Sequence, residues 1–255
     1  MIKFLYNNLV EGASLSSSTV NAQYPLSNLQ NDFRTKVYRS TSNSDSVVFD
    51  LGAIEDVDFV ALVDNWKNGF GVSTVTIQAN ATDSWGSPAF TDTLTLDTTF
   101  GIGIKELSST QSYRYWRLVL TSTLGYCELA HVFIGKAESI TTNGVSYGFN
   151  YTNKDLQKRT ETRYGQEYID DIGTRKSLDN LQFQVMSTSE LDQIFNVYDN
   201  RRTVKPFIVK MGDGTNTMIG DEDRLNGLYK FDKSPSAKMR TASYWDITLS
   251  VMEQK

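Results

Sequence analysis

Apolar and polar residues alternate one by one through short stretches along much of this chain. In Ser46-Val47-Val48-Phe49-Asp50-Leu51-Gly52, the residues Val47, Phe49 and Leu51 share one side. In Tyr115-Trp116-Arg117-Leu118-Val119-Leu120, the same holds for Trp116, Leu118 and Leu120. A period of two places alternate side chains on one face of a strand, so each stretch can bury one face and leave the other to water. Asp58-Phe59-Val60-Ala61-Leu62-Val63 is apolar almost without a break, as expected of a strand covered on both faces. Val72–Ala79, Thr93–Leu96 and Leu129–Ile134 continue the pattern, with Gly135 after the last. Six such segments separated by turn-rich loops predict a jelly-roll β-sandwich over residues 1–137.

Residues 138–255 follow a different pattern and are expected to form a second domain, with the boundary in the polar stretch from Lys136 to Gly144. Polar and charged residues fill 152–167, among them Lys154, Asp155, Lys158, Arg159, Glu161 and Arg163. Few apolar anchors tie this stretch to its own domain, so it reads as a solvated strand pair or as an arm that meets a neighbouring molecule. Leu181, Phe183 and Val185 then alternate with Gln182 and Gln184. One helix is predicted near 188–200. Ser187 and Glu190 have the spacing of a capping box, in which each side chain satisfies the other's free backbone N–H. Leu191, Ile194, Phe195 and Tyr198 recur at the spacing of one helical face. Strands are expected at Lys205–Lys210, at Gly227–Phe231 and around Trp245–Val251, with a tight turn at Gly212-Asp213-Gly214. The second domain is therefore β-rich, barrel- or sandwich-like, with a single helix.

Counting residues excludes much chemistry. The chain has 255 residues, one His and one Cys. A lone His131 and a lone Cys127 give neither an intrachain disulfide nor a multi-His metal site. With 25 Lys+Arg against 30 Asp+Glu, the basic excess of a dedicated nucleic-acid binder is missing. No stretch approaches the ~18 apolar residues of a membrane span, and the first residues hold no apolar run of signal-peptide length. The expectation is a chain made in the cytoplasm, with no nucleic-acid partner and no membrane insertion. Glu55-Asp56-Val57-Asp58 reads as a solvated loop before a buried strand. Asp221-Glu222-Asp223 lacks the spacing of a calcium loop, so no metal or other cofactor is expected. Gly101-Ile102-Gly103 is too short for a phosphate loop. Arg34 and Lys36 are expected on one strand face, paired with Asp32 and Asp50. No nucleophile–base or acid–base pair emerges, so no enzyme is expected. Trp66, Trp85 and Tyr126 fall in loops, where aromatic faces can stack on a sugar ring, plug the ends of the core or meet a protein.

Two resemblances add to this. Asn28-Leu29, Thr35-Lys36-Val37-Tyr38-Arg39-Ser40, Val48-Phe49-Asp50-Leu51-Gly52, Tyr113-Arg114-Tyr115-Trp116-Arg117-Leu118 and Glu128-Leu129-Ala130-His131-Val132-Phe133-Ile134-Gly135 follow in the order seen in discoidin-like, galactose-binding-fold jelly rolls. The first half resembles that family, without the paired cysteines of its extracellular members. The second half, through Asp170-Asp171-Ile172-Gly173-Thr174-Arg175-Lys176-Ser177-Leu178, Leu181-Gln182-Phe183, the helix and Lys205-Pro206-Phe207-Ile208-Val209, is similar to distal-tail and baseplate proteins of tailed bacteriophages. That resemblance implies a structural protein of the virion tail, made in the host cytoplasm. It would join other tail proteins and form a homo-oligomeric ring, of six copies by the same resemblance. The alternative is a carbohydrate-binding adhesion module that contacts host-surface glycans.

Overall fold

The computed structural model describes residues 2–140, 149–161, 163, 167–211 and 222–254, leaving aside the side chains of 169–172, 222 and 223. The expected turn at Gly212–Gly214 and the Asn143-Gly144 part of the boundary lie outside the described residues, as do Asp221 and the side chains of Glu222 and Asp223. In chain order the strands are β1 (Ile2–Leu5), β2 (Ser14–Ser16), β3 (Tyr38–Arg39), β4 (Ser44–Val63), β5 (Thr74–Asn80), β6 (Phe90–Leu94), β7 (Leu96–Asp97), β8 (Ile102–Thr121), β9 (Glu128–Leu129), β10 (His131–Gly135) and β11 (Glu138–Ile140). There follow β12 (Asn150–Glu161), β13 (Glu167–Ser187), helix α1 (Thr188–Arg201), β14 (Phe207–Met211), β15 (Gly227–Phe231), β16 (Ser236–Thr241) and β17 (Tyr244–Glu253). The described residues are mostly β with one α-helix, as the sequence predicts. Its contacts divide it into two compact units: Lys3–Ser139 with Phe207–Leu228, and Ile140–Pro206 with Tyr229–Gln254.

The first unit is the jelly roll. Its seven-stranded antiparallel sheet runs in the order β10-β4-β8-β5-β6, with β2 on β4 and β7 on β8. The pairing of β4 with β8 shifts register twice, between Asp50 and Glu55 and again between Val57 and Phe59. Both strands bend there, and Gly52 takes φ +82°, a conformation side chains rarely adopt. The bend folds the sheet over one core: Val47 and Phe49 from the first half of β4 share a cluster with Val60 and Leu62 from the second. Trp116, Leu118, Leu120, Val132 and Ile134 complete that cluster, which explains the period-two signal. The Glu55–Asp58 run therefore lies within β4 and not in a loop: Glu55 pairs with Tyr113, Asp56 with Ser112, and Ser112 Oγ donates to Asp56 at 2.6 Å.

The outer face of the second half of β4 is covered too. Phe59, Ala61, Val63 and Phe133 pack with Leu5, Ile208 and Leu228. This is why Phe59–Val63 reads apolar on both faces, and why part of the chain after residue 206 belongs with the first unit.

In the second unit, β13 pairs with β12 on one side and β17 on the other, while β17 also pairs with β15 and β16. Helix α1 opens on the expected capping box between Ser187 and Glu190 and buries Leu191, Ile194 and Val197. β12 and the first part of β13 form a two-stranded antiparallel arm. β12 pairs with β13 from Asn150–Asp179 to Glu161–Glu167, whereas β17 accompanies β13 only from Ser177 onward.

Candidate functional site

Both halves of the bent sheet converge at one end, the apex. Ala130 N donates to Val63 O, Cys127 N to Ser42 O and Ser73 N to Thr121 O, which gathers the start of β4, its end and the Thr121–Leu129 connection. The opposite end holds the bend and the points where the chain enters and leaves, near Leu5 and Gly135.

Two arginine–carboxylate pairs lie at the apex. Arg34 pairs with Asp64, their side chains only 5% and 10% exposed, and Arg34 Nε also donates to the Asp64 backbone carbonyl at 3.4 Å. Arg34 sits in a turn, is buried, and lies 5.6 Å from the centre of the Trp66 ring, while Lys36 is exposed beside Phe33. The expected shared strand face for Arg34 and Lys36 is corrected, because the chain turns between them. Asp50, the other expected partner, is bound to Arg114. The second pair is Arg39 with Glu128, whose Oε2 accepts from Arg39 Nε at 2.9 Å and whose Oε1 accepts from Asn65 Nδ2 at 2.8 Å. The guanidinium of Arg39 lies between two rings, 4.3 Å from Tyr24 and 4.2 Å from Tyr126. Gly71 lies so close to Glu128 that a Cβ there would fall 2.4 Å from the Glu128 Cβ, so only glycine allows this approach.

Trp66 and Tyr126 are thus brought to one end and joined through Asn65, Glu128 and Arg39. Trp85 is not part of this group. It follows β5, beyond Asn80, whose partner on β8 is Tyr115, whereas the apex end of β5 pairs Thr74 with Thr121. The Trp85 indole donates to Asp83 at 2.6 Å and lies 4.5 Å from the Arg117 guanidinium, which Gln78 holds in turn. Tyr24, Arg39, Asn65 and Glu128 were not singled out from sequence as site residues. Tyr24 and Asn65 carry no signal beyond their aromatic and polar character in loops, while Arg39 and Glu128 stand in β3 and β9, inside the segments that resemble the jelly-roll family.

The two residues that could have suggested catalysis lie in the core. His131 is buried with its ring 4.6 Å from that of Phe133. Cys127 is a buried free cysteine, and burial pushes its thiol up from the ordinary value. Among the described residues, no cluster of three or more His, Cys, Asp or Glu side chains is placed to hold a metal ion. No helix of the described residues is long and apolar enough to cross a membrane. In the second unit, Lys154, Lys158, Arg159, Glu161 and Arg163 are all exposed. Lys154 reaches Asp179 at 4.0 Å and Arg159 reaches Glu167 at 3.6 Å, both across the arm.

No protein family and no curated protein matches this sequence. Among solved structures, the chain is similar to the family 32 carbohydrate-binding module of Clostridium perfringens NanJ in complex with galactose, at 12% identity over 54% of this chain and 100% of that one, with a TM-score of 0.44. It is similar to a fucose-binding module of Streptococcus pneumoniae at 12% identity over 50% and 94%, with a TM-score of 0.43. A chitosan-binding module from Paenibacillus sp. matches at 22% identity over 51% and 98%, with a TM-score of 0.41. Nothing in these comparisons points to a tail or baseplate protein.

Proposed function

We propose that this is a non-enzymatic carbohydrate-binding protein whose jelly roll presents its apex to a glycan. The observation that carries this reading is the grouping of three half-buried rings, Tyr24, Trp66 and Tyr126, around Arg34–Asp64 and Arg39–Glu128–Asn65. Aromatic faces suit the C–H faces of a sugar ring, and arginine and amide edges suit its hydroxyls. The ion pairs fix those edges before a ligand arrives, which lowers the ordering cost of binding. The burial of His131 and Cys127 supports a role without catalysis. Glycan-array screening of the full chain, followed by calorimetry with galactose- and fucose-terminated glycans, tests the proposal. Binding is expected to be lost in Trp66→Ala and Tyr126→Ala and kept in Trp85→Ala. Absence of binding to any glycan, or binding unchanged in the Trp66→Ala Tyr126→Ala variant, would overturn it.

The arm favours a second reading, compatible with the first: a structural component of a phage tail tip, distal tail or baseplate. A two-stranded ribbon is marginal alone in water, so one built from exposed charged residues gains most from a neighbour. In this reading the chain is made in the host cytoplasm, joins other tail proteins and ends in the virion as a closed ring, of six copies by its resemblance to distal-tail proteins. Electron microscopy of the concentrated full chain tests it. Rings are expected, and a monomer in both the free chain and the assembled particle would end the idea.

A further inference from the structure

The outer edge of β12 has no strand beside it among the described residues. Natural edge strands are kept short, interrupted by proline, bulged or lined with charge, because an open ladder of N–H and C=O groups recruits other chains. Of these defences β12 has only the charges, which repel a neighbouring strand in some registers and attract it in others. The strand runs for 12 residues, Asn-Tyr-Thr-Asn-Lys-Asp-Leu-Gln-Lys-Arg-Thr-Glu, with neither proline nor glycine. The arm does contain a bulge, but on the inner strand. Leu156 pairs with Gly173 and Gln157 with Asp171, so the extra residue is at position 172 of β13 and the outer strand stays continuous. Asp155, Lys158 and Glu161 have no ion-pair partner among the described residues, and the pairs at Lys154 and Arg159 are long and exposed.

We infer that β12 pairs antiparallel with β12 of a second copy, about a two-fold axis at Gln157. The inference rests on the arm being an assembly element. It adds a two-fold contact to the head-to-tail contacts that close a ring, so rings carrying it would meet in pairs.

Charge selects the register. A two-fold axis perpendicular to the sheet keeps each residue's face, so directly opposed residues must have positions of the same parity. An axis at Lys154, Asp155, Lys158 or Arg159 sets that charge against its own copy. An axis at Leu156 sets Lys154 opposite Lys158. Axes at Asn153 and Thr160 also oppose no like charges, but the first faces no opposite charges and the second pairs only residues 159–161. Gln157 alone pairs a long stretch, residues 153–161, with opposite charges facing and no like charges opposed. It places Asp155 opposite Arg159 of the second copy, twice by symmetry, with Lys154 opposite Thr160 and Asn153 opposite Glu161. Opposite charges across a ladder stabilise the pairing and like charges oppose it.

The register is tested in the full chain by charge reversal and by crosslinking. In low-salt sedimentation velocity, Asp155→Arg and Arg159→Asp are each expected to weaken self-association by about tenfold. Asp155→Arg with Arg159→Asp is expected to restore it. Under mild oxidation, Gln157→Cys should give a covalent dimer, because directly opposed Cα atoms about 4.5–5.5 Å apart lie within disulfide reach. Lys154→Cys should not, since its copies would stand about 20 Å apart at ~3.4 Å per residue. Cys127 is buried and leaves the assay clean. A double reversal that fails to restore association, or a Lys154→Cys chain that crosslinks as well as Gln157→Cys, overturns the register. If deletion of 152–167 still abolishes association in that case, the arm remains an assembly element. A full chain that stays monomeric at every concentration overturns both.

Discussion

The apex of the jelly roll and the arm of the second unit both set cations against carboxylates, in opposite surroundings. At the apex, Arg34–Asp64 is nearly closed to water, and Arg39–Glu128 has a carboxylate side chain 2% exposed and a guanidinium held between two tyrosine rings. On the arm, Lys154 and Arg159 have side chains 49% and 65% exposed and reach their carboxylates at 4.0 and 3.6 Å. Taking charges out of water is costly, so the apex pairs persist only because each group is bonded several times. Losing one partner strands the other in a medium that cannot solvate it. The arm pairs are solvated and screened, so each adds little to the fold and leaves its charges available to a neighbour. One arrangement spends its charges on a fixed shape, the other leaves them to solvent.

The largest effect expected from breaking this contrast is at Asp64. Asp64→Ala leaves Arg34 buried without its carboxylate and is expected to cost about 3–5 kcal/mol, read from urea unfolding of the full chain. A loss no greater than an ordinary surface substitution would place the pair in water and erase the distinction.

An intermediate case sharpens it. Asp50 lies on the solvent side of the bend, where the Arg114 guanidinium and then the Gly52 N–H hold its carboxyl down to about 2. A carboxylate whose folded pKa is depressed stabilises the fold above its unfolded pKa. That contribution is lost as pH falls through the folded value, here near pH 2. Carboxyl NMR titration should find the Asp50 midpoint near that pH, and Arg114→Gln should return it toward the ordinary 3.8. A midpoint that ignores the substitution would show that the bidentate contact is not what holds it.

The smallest effect is expected on the arm. Lys154→Ala and Arg159→Ala should each change stability by no more than about 0.5 kcal/mol in the same unfolding measurement. A loss of several kcal/mol from either would mean that the arm is packed, and would remove the contrast from the other side.

Local signals were legible in the sequence and distant ones were not. Alternation revealed the strands because each buries one face, and the Ser187–Glu190 spacing revealed the helix because a capping box is complete within four residues. The apolar run at Phe59–Val63 announced a doubly covered strand, but not that Ile208 and Leu228 would help cover it. Arg34 was visible as a charge, while its partner Asp64 lies 30 residues away and was reachable only through the fold. Glu55–Asp58 read as a loop because acidic residues crowd there, a pattern that a bend inside a strand produces equally well. Trp66, Trp85 and Tyr126 looked equivalent as loop aromatics. Register alone separates them, since β5 carries Trp85 toward the end opposite the other two.

The route from the apex to the end where the chain leaves the jelly roll has a mechanical consequence. From Glu128 the chain passes almost at once into β10 and runs straight to Gly135, paired with β4 from His131–Val63 to Gly135–Phe59. A pull on something held at the apex, resisted beyond Ser139, drags β10 lengthwise along β4. The rungs of that ladder then share the load together and do not open one after another. A ladder loaded this way yields late and all at once.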